Sequence, residues 1–505
     1  MNPSYGTQPA PLSDAVSALG ESTAAVVSSF RDPAGRVFLL NDRVLRLVTS
    51  EGADVLRQFL NTEIARALTA DGQLVKTTFL DTDTRSLGLP TSQLSQVISA
   101  NPRNVVVEHE RIAPRSFPYE WSPRMLHAAG SLTLDLAERV LDEGFSLKDA
   151  TPYNVLFKGS RPVFVDVLSF ESREPHDPTW LPFNQFVRTV LLPLLANKYF
   201  GLRLDQLLFA NREGLEPAEV AQLCGSWQKL SPLFLSLVFF PTWLGQKPSN
   251  GNKSIYRPRR LNNPEQAKFI LQRQLKQLRR QLGKLQPVDR DSNWSGYMTA
   301  ERHFSDDYLA AKESFVSEAL KNARARTVLD VGCNTGHFSR LAATHGASVV
   351  AIDQDPAVVD AVWTRAALDN LDILPLVVNL ARPTPAIGWR NQECPSFLDR
   401  AKGRFDLVLM LAVLHHLLVS EQVPLPAILE LTAELTSEFL IIEFVAPEDP
   451  MFSSLVRGRE ELYRELTKES FERTANQWFS IIRSQQLSDA RCIYLLGKRN
   501  AVGHV

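Results

Sequence analysis

Apolar positions in the C-terminal half fall in short unbroken runs. Residues 327–331, 348–353, 373–378, 405–414 and 439–445 are rich in Val, Ile and Leu, and helical periodicity fills the gaps between them. Strands apolar on both faces, alternating with helices, predict a parallel sheet covered on both sides. Pro375 obscures where the third strand begins. The N-terminal half reads differently. Residues 37–40 and 44–48 flank Asn41-Asp42 and predict a hairpin. A helix is predicted over about residues 53–68, an apolar run stands at 105–107, and a longer helix is predicted from Pro123 to Glu143. Between the halves, Pro264 to Leu285 places Leu271, Leu275, Leu278, Leu282 and Leu285 at alternating spacings of four and three. That is a narrow helical seam.

Length and composition set outer limits. A chain of 505 residues predicts two to four domains, and 44% hydrophobic residues suffice for real cores. A net charge of −1 gives no global pull toward nucleic acid or an anionic membrane. Cys224, Cys333, Cys394 and Cys492 form no CxxC pair and no metal-ligand spacing, so reduced thiols are expected. No signal peptide is recognised. The most apolar stretch, Pro232 to Leu244, is too short to span a membrane and contains Pro241. The expectation is a cytoplasmic protein whose first 28 residues, rich in Ser, Ala, Gly and Pro, form a mobile arm. Helix 264–285 carries Lys268, Arg273, Lys276, Arg279, Arg280 and Lys284 against one acid, Glu265. It could bind RNA or dimerise, but the favoured expectation is a linker helix whose leucines dock on a neighbouring domain.

The chemistry concentrates where the first C-terminal strand ends. Asp330, Gly332, Asn334 and Gly336 follow the pattern Asp-x-Gly-x-Asn-x-Gly, and a helix begins at once. Such a turn leaves backbone N–H groups open to a ligand. Asp353 ends the second strand, where a carboxylate can accept hydrogen bonds from ribose hydroxyls. A dinucleotide site would show G-x-G-x-x-G, and a carboxylate beside the loop suits an amine and a sulfonium better than a diphosphate. Here the sequence resembles the class I S-adenosylmethionine-dependent methyltransferases, with Asn334 at the motif's middle glycine. The resemblance implies a Rossmann-like α/β fold with a parallel-rich seven-stranded sheet. It implies that S-adenosylmethionine is bound by Asp330, Gly332, Asn334, Gly336, Asp353 and Asn379. It places His415 and His416 on the acceptor side, where an imidazole could take a proton. Trp294 and Tyr297 could form a lid; equally, all four side chains could simply pack.

The first half carries a second pattern. Asp149, Asn154 and Asp166 stand in the order helix, Asp-x-x-x-x-Asn, short strand, strand ending in Asp. This resembles the core of protein kinase-like phosphotransferases, an α+β fold. The resemblance implies that Asp149 orients an acceptor hydroxyl and that Asn154 and Asp166 hold Mg²⁺ on ATP. The departures are Val167-Leu168 after Asp166, no Gly-rich loop, and no lysine on the hairpin strands, where Arg46 is the nearest substitute.

Together, residues 117–121, 146–154, 162–171 and the C-terminal block resemble one bacterial family, which includes the rhizobial host-specificity nodulation protein and many further methyltransferases. The domain expectation is an arm (1–28), a kinase-like domain (29–250), a basic linker helix (251–292) and a methyltransferase domain (293–500). The leading expectation is methyl transfer to a small molecule or glycan that the kinase-like domain binds or presents. The alternatives are a bifunctional kinase–methyltransferase and a non-catalytic ligand sensor.

Overall fold

The computed structural model describes residues 26–29, 32–40, 42–80, 105–245, 260–288 and 306–499. Most of the expected arm, and both Trp294 and Tyr297, lie outside them. The chain divides into two compact units that are not consecutive stretches. One takes residues 1–111, 139–148 and 165–174; the other takes 112–138, 149–164 and 175–505.

The first unit holds a five-stranded antiparallel sheet of β1 (Val26–Ser29), β2 (Gly35–Leu40), β3 (Arg43–Val48), β4 (Thr77–Leu80) and β5 (Val105–His109), in the order β1-β2-β3-β5-β4. Val26–Ser29, whose first three residues were expected to belong to the arm, is its edge strand. The hairpin forms as the alternation predicts, with Leu40 opposite Arg43. The single helix expected over 53–68 is two, Ser50–Leu60 and Glu63–Ala70. Thr62 breaks it, because its side chain accepts the N–H of Ala65 and caps the second helix. The first unit also holds two short strands, β6 (Phe145–Leu147) and β9 (Phe170–Ser172), paired with each other, whereas the hairpin of β7 (Val155–Lys158) and β8 (Arg161–Phe164) belongs to the second unit.

The second unit is built on β10 (Thr327–Val331), β11 (Ser348–Asp353), β12 (Ile373–Val377), β13 (Phe405–Met410), β14 (Thr436–Val445), β15 (Phe479–Ser488) and β16 (Arg491–Lys498). Their order is β12-β11-β10-β13-β14-β16-β15, parallel through β14, with β16 antiparallel to both β14 and β15. Val328, Leu407, Leu409 and Ile441 are fully buried, as two-sided strands require. Pro375 is tolerated because β12 is the edge strand. Strand order reverses direction between β10 and β13, so a crevice opens at their carboxyl ends. Helix Pro264–Lys284 buries Leu271, Leu275, Leu278 and Leu282, and the Leu282 carbonyl faces a His127 ring nitrogen at 3.1 Å. Its leucines are thus packed within the chain. Among the described residues, no helix is long and apolar enough to cross a membrane.

Candidate functional site

The turn after β10 needs its glycines. Gly332 has φ of 65°, and a Cβ there would lie 2.4 Å from a Val413 methyl. Gly336, at φ of 78°, would meet Val362 at 2.9 Å. Asn334 adopts φ of 48° without being glycine, and its Oδ1 accepts the Thr335 N–H at 2.6 Å. The loop is fastened to the end of β11. The N–H groups of Gly332 and Cys333 donate to the Ile352 carbonyl at 2.8 and 3.1 Å. Asp353 Oδ2 accepts the Asn334 N–H at 3.1 Å, and Oδ1 accepts the Asp355 N–H at 3.0 Å. Each oxygen is fixed yet keeps lone pairs for a further donor. Burial raises the Asp353 pKa, so a donor that restores solvation is favoured there. A two-hydroxyl ribose edge fits this carboxylate.

Asp330 faces inward instead. It is 2% exposed, its Oδ2 accepts the Ser339 hydroxyl at 2.5 Å, and burial pushes its pKa up to about 6. It anchors the first turn of helix His337–Thr344 rather than presenting a carboxylate to the crevice. Asn379 is also engaged: Nδ2 donates to Gln354 Oε1 at 3.0 Å and Glu421 Oε1 at 3.3 Å, and Oδ1 accepts the Ala381 N–H. Sequence reasoning missed Gln354 and Glu421, which sit outside the strands and carry no pattern.

The two histidines differ sharply. His415 is 0% exposed with no partner at either ring nitrogen, and burial drives its pKa down to about 3. His416 is half-buried, its ring 4.2 Å from that of His415, with its pKa also lowered by burial. A buried network that sequence reasoning also missed has its centre at Glu443. That carboxylate accepts the Tyr308 hydroxyl at 2.5 Å, the Lys312 ammonium at 2.6 Å and the Arg491 guanidinium at 3.2 Å. Arg491 in turn grips Asp449 at 2.7 and 3.0 Å. Burial alone would raise the Glu443 pKa, but Lys312 and Arg491 hold it near 2. A lone carboxylate inside the apolar run 439–445 was the available signal.

In the first unit, Asp166 Oδ1 accepts Arg46 Nη1 at 2.6 Å and Oδ2 accepts the Ser169 hydroxyl at 2.5 Å. Arg46 Nη2 also donates to Asp32 Oδ2 at 2.7 Å. Burial opposes the charge on Asp166, but Arg46 and Ser169 outweigh it and hold the pKa below the usual carboxylate range. A guanidinium therefore sits where the kinase resemblance implies a cation. Asp149 and Asn154 belong to the other unit, Asn154 closing the short turn Pro152–Asn154. No group of three or more His, Cys, Asp or Glu suited to a metal occurs among the described residues.

Residues 302–490 match the methyltransferase domain family. The nodulation protein NoeA of Rhizobium meliloti (strain 1021) is 31% identical over 478 residues, covering 92% of this chain and 94% of that protein. The chain belongs to the NoeA family. It is an S-adenosylmethionine-dependent methyltransferase, with a Rossmann-like domain carrying the transfer chemistry. Two solved structures are also similar. The N-methyltransferase NodS from Bradyrhizobium japonicum WM9, in complex with S-adenosyl-l-homocysteine, is 13% identical, with a TM-score of 0.30 over 41% of this chain and all of its own (100%). The bifunctional kinase-methyltransferase WbdD is 19% identical, with a TM-score of 0.28 over 38% of this chain and 40% of its own. Scores this low carry no weight beside the strand order.

Proposed function

We propose that this NoeA-family chain binds S-adenosylmethionine at the carboxyl ends of β10, β11 and β12 and methylates a small-molecule or glycan acceptor. The observation that carries the reading is the Asp353 carboxylate, clamped by the Asn334 and Asp355 N–H groups beside two glycines that leave no room for a side chain. Asp353 would receive the ribose hydroxyls, the Gly332–Gly336 backbone would line the amino-acid portion, and Asn379 with Gln354 would border the adenine. Asp330 acts through Ser339 as a positioning residue. When bound, the cofactor supplies a methyl group already activated as a sulfonium, so the chain must align an acceptor and exclude water.

His416 is the better candidate for an acceptor-side base. It is only half-buried, and its lowered pKa keeps it neutral and able to take a proton. His415 is enclosed and supports its neighbour. For the first half we favour a kinase-like scaffold that binds or presents the acceptor without transferring phosphate. The support is the Arg46–Asp166 ion pair, which occupies the carboxylate a Mg²⁺–ATP site would use. Screening fractionated metabolites with labelled S-adenosylmethionine tests the function: label should reach an acceptor with the parent and not with Asp353→Ala. Transfer by Asp353→Ala at the parental rate would overturn the cofactor assignment.

A further inference from the structure

Helix Pro264–Lys284 carries a second feature once its leucines are packed. Arg273, Lys276, Arg280 and Lys284 are all exposed and recur at spacings of three and four, so they share one outer face. The eleven steps from Arg273 to Lys284, at about 1.5 Å each, make this a cationic stripe roughly 16 Å long. Arg279 is neutralised by Asp135 and Glu138, whereas none of the four exposed cations has a carboxylate partner among the described residues. The stripe is bordered by apolar side chains. Phe269, one turn ahead of Arg273, is 55% exposed, with the Arg273 guanidinium over its ring at 5.0 Å from the centroid. Elsewhere in the same unit, the run Pro232–Gly245, tied to this helix by the Gln281–Ser236 hydrogen bond, leaves Phe240, Trp243 and Leu244 more than half exposed.

We infer that this face docks on an anionic phospholipid surface. Four cations with no carboxylate partner among the described residues, set on a straight face, complement a plane of phosphates, and each basic residue there improves partitioning by about fivefold. The groove lined by Phe269, Ile270, Arg273, Gln274, Gln277 and Arg280 sets guanidinium and amide donors beside aromatic and aliphatic carbon. That mixture suits a phosphate headgroup next to the first methylenes of its acyl chains. The exposed Phe269 and the Ile270 side chain in this groove favour lipid over nucleic acid, which offers no hydrocarbon for Ile270 to enter.

The test is flotation of the full chain with vesicles of phosphatidylcholine alone or mixed with phosphatidylglycerol. Mixed vesicles should carry the protein at low salt, neutral ones should not, and 0.5 M salt should release it. Reversing Arg273→Glu and Arg280→Glu should lower binding at least about thirtyfold. Phe269→Ser should lower it by less. Unchanged melting and S-adenosylmethionine binding in these variants would show that the fold is intact. Equal binding to neutral vesicles, indifference to the charge reversals, or displacement from anionic vesicles by single-stranded RNA would overturn the inference.

Discussion

Arg124 and Asp360 stand 236 positions apart in sequence and are joined twice, the Arg124 N–H to Oδ1 at 2.9 Å and its Nε to Oδ2 at 3.0 Å. Asp360 lies on the helix between β11 and β12, so the start of helix Pro123–Arg139 is fixed to the cofactor half of the same unit. Glu120 repeats the connection. Fully buried, it accepts hydrogen bonds from Thr384 and Arg400. Trp363 Nε1 adds a third tie, to the Ser160 carbonyl.

Residues 293–505 should therefore be unstable when expressed without residues 112–164. Glu120→Ala in the full chain leaves Arg400 as an uncompensated buried charge, at a cost of about 3–5 kcal/mol. Urea unfolding checks both. A truncated domain as stable as the full chain would show that these contacts are incidental to its fold.

Asp353→Ala should weaken S-adenosylmethionine binding by roughly 1–3 kcal/mol, the loss expected when a charged acceptor of hydrogen bonds is removed. Asp353→Asn should lose less, because its amide oxygen can still accept one backbone N–H. Calorimetry with an unchanged dissociation constant for the alanine variant would remove Asp353 from the site.

The methyltransferase half was legible because each strand is two-sided and apolar and each turn carries its own punctuation. The left-handed turn at Gly332, Asn334 and Gly336 and the strand end at Asp353 needed only local pattern. What the sequence hid was side-chain direction. Asp330 and Asp353 both end strands, yet one turns inward to Ser339 and the other stays at the crevice. Nothing local distinguishes them, because the difference comes from where helix His337–Thr344 packs. His415 and His416 pose the same problem: adjacent in sequence, they point 100° apart on a helix, and only packing decides which is enclosed. The Arg46–Asp166 pair spans 120 positions and had no local signal at all.

Burial lowers the His415 pKa to about 3, so the folded protein holds this ring neutral while the unfolded chain protonates it near its usual 6.5. A group with a depressed folded pKa contributes stability above the unfolded value, and that contribution falls as pH drops below about 6.5. Asp330 moves oppositely: its folded pKa of about 6 makes its contribution greatest in acid and progressively lost as pH rises from about 4 to 6. Their slopes oppose one another between about pH 4 and 6. His415→Leu removes one and leaves a near-isosteric apolar side chain where neither nitrogen had a partner. The variant should be as stable as the parent at pH 8 and more stable at pH 5. A parent and variant with parallel stability curves across that range would show that His415 is accessible to protons in the folded state.

Arg46 is buried between Asp166 and Asp32, each within 2.7 Å, and a glycine backs it: a Cβ at Gly35 would approach Arg46 Nε at 3.2 Å. Arg46→Ala leaves Asp166 and Asp32 with only Lys148, whose ammonium lies 3.8 Å from Asp32 Oδ1, to offset their charge, and should cost up to about 3–5 kcal/mol. Arg46→Lys keeps one positive charge but cannot reach both carboxylates through a planar fork, so it should lose a smaller part of that stability. The same pairing bears on nucleotide chemistry. A carboxylate already held by a guanidinium and the Ser169 hydroxyl has little remaining affinity for Mg²⁺, which demands near-octahedral oxygen ligands. Titrating Mg²⁺–ATP into the full chain should show no metal-dependent binding, and Asp166→Asn should change nothing in that titration. Metal-dependent binding in the parent that disappears in Asp166→Asn would mean that the ion pair opens for nucleotide, and the first half would then have to be regarded as a working phosphotransferase site.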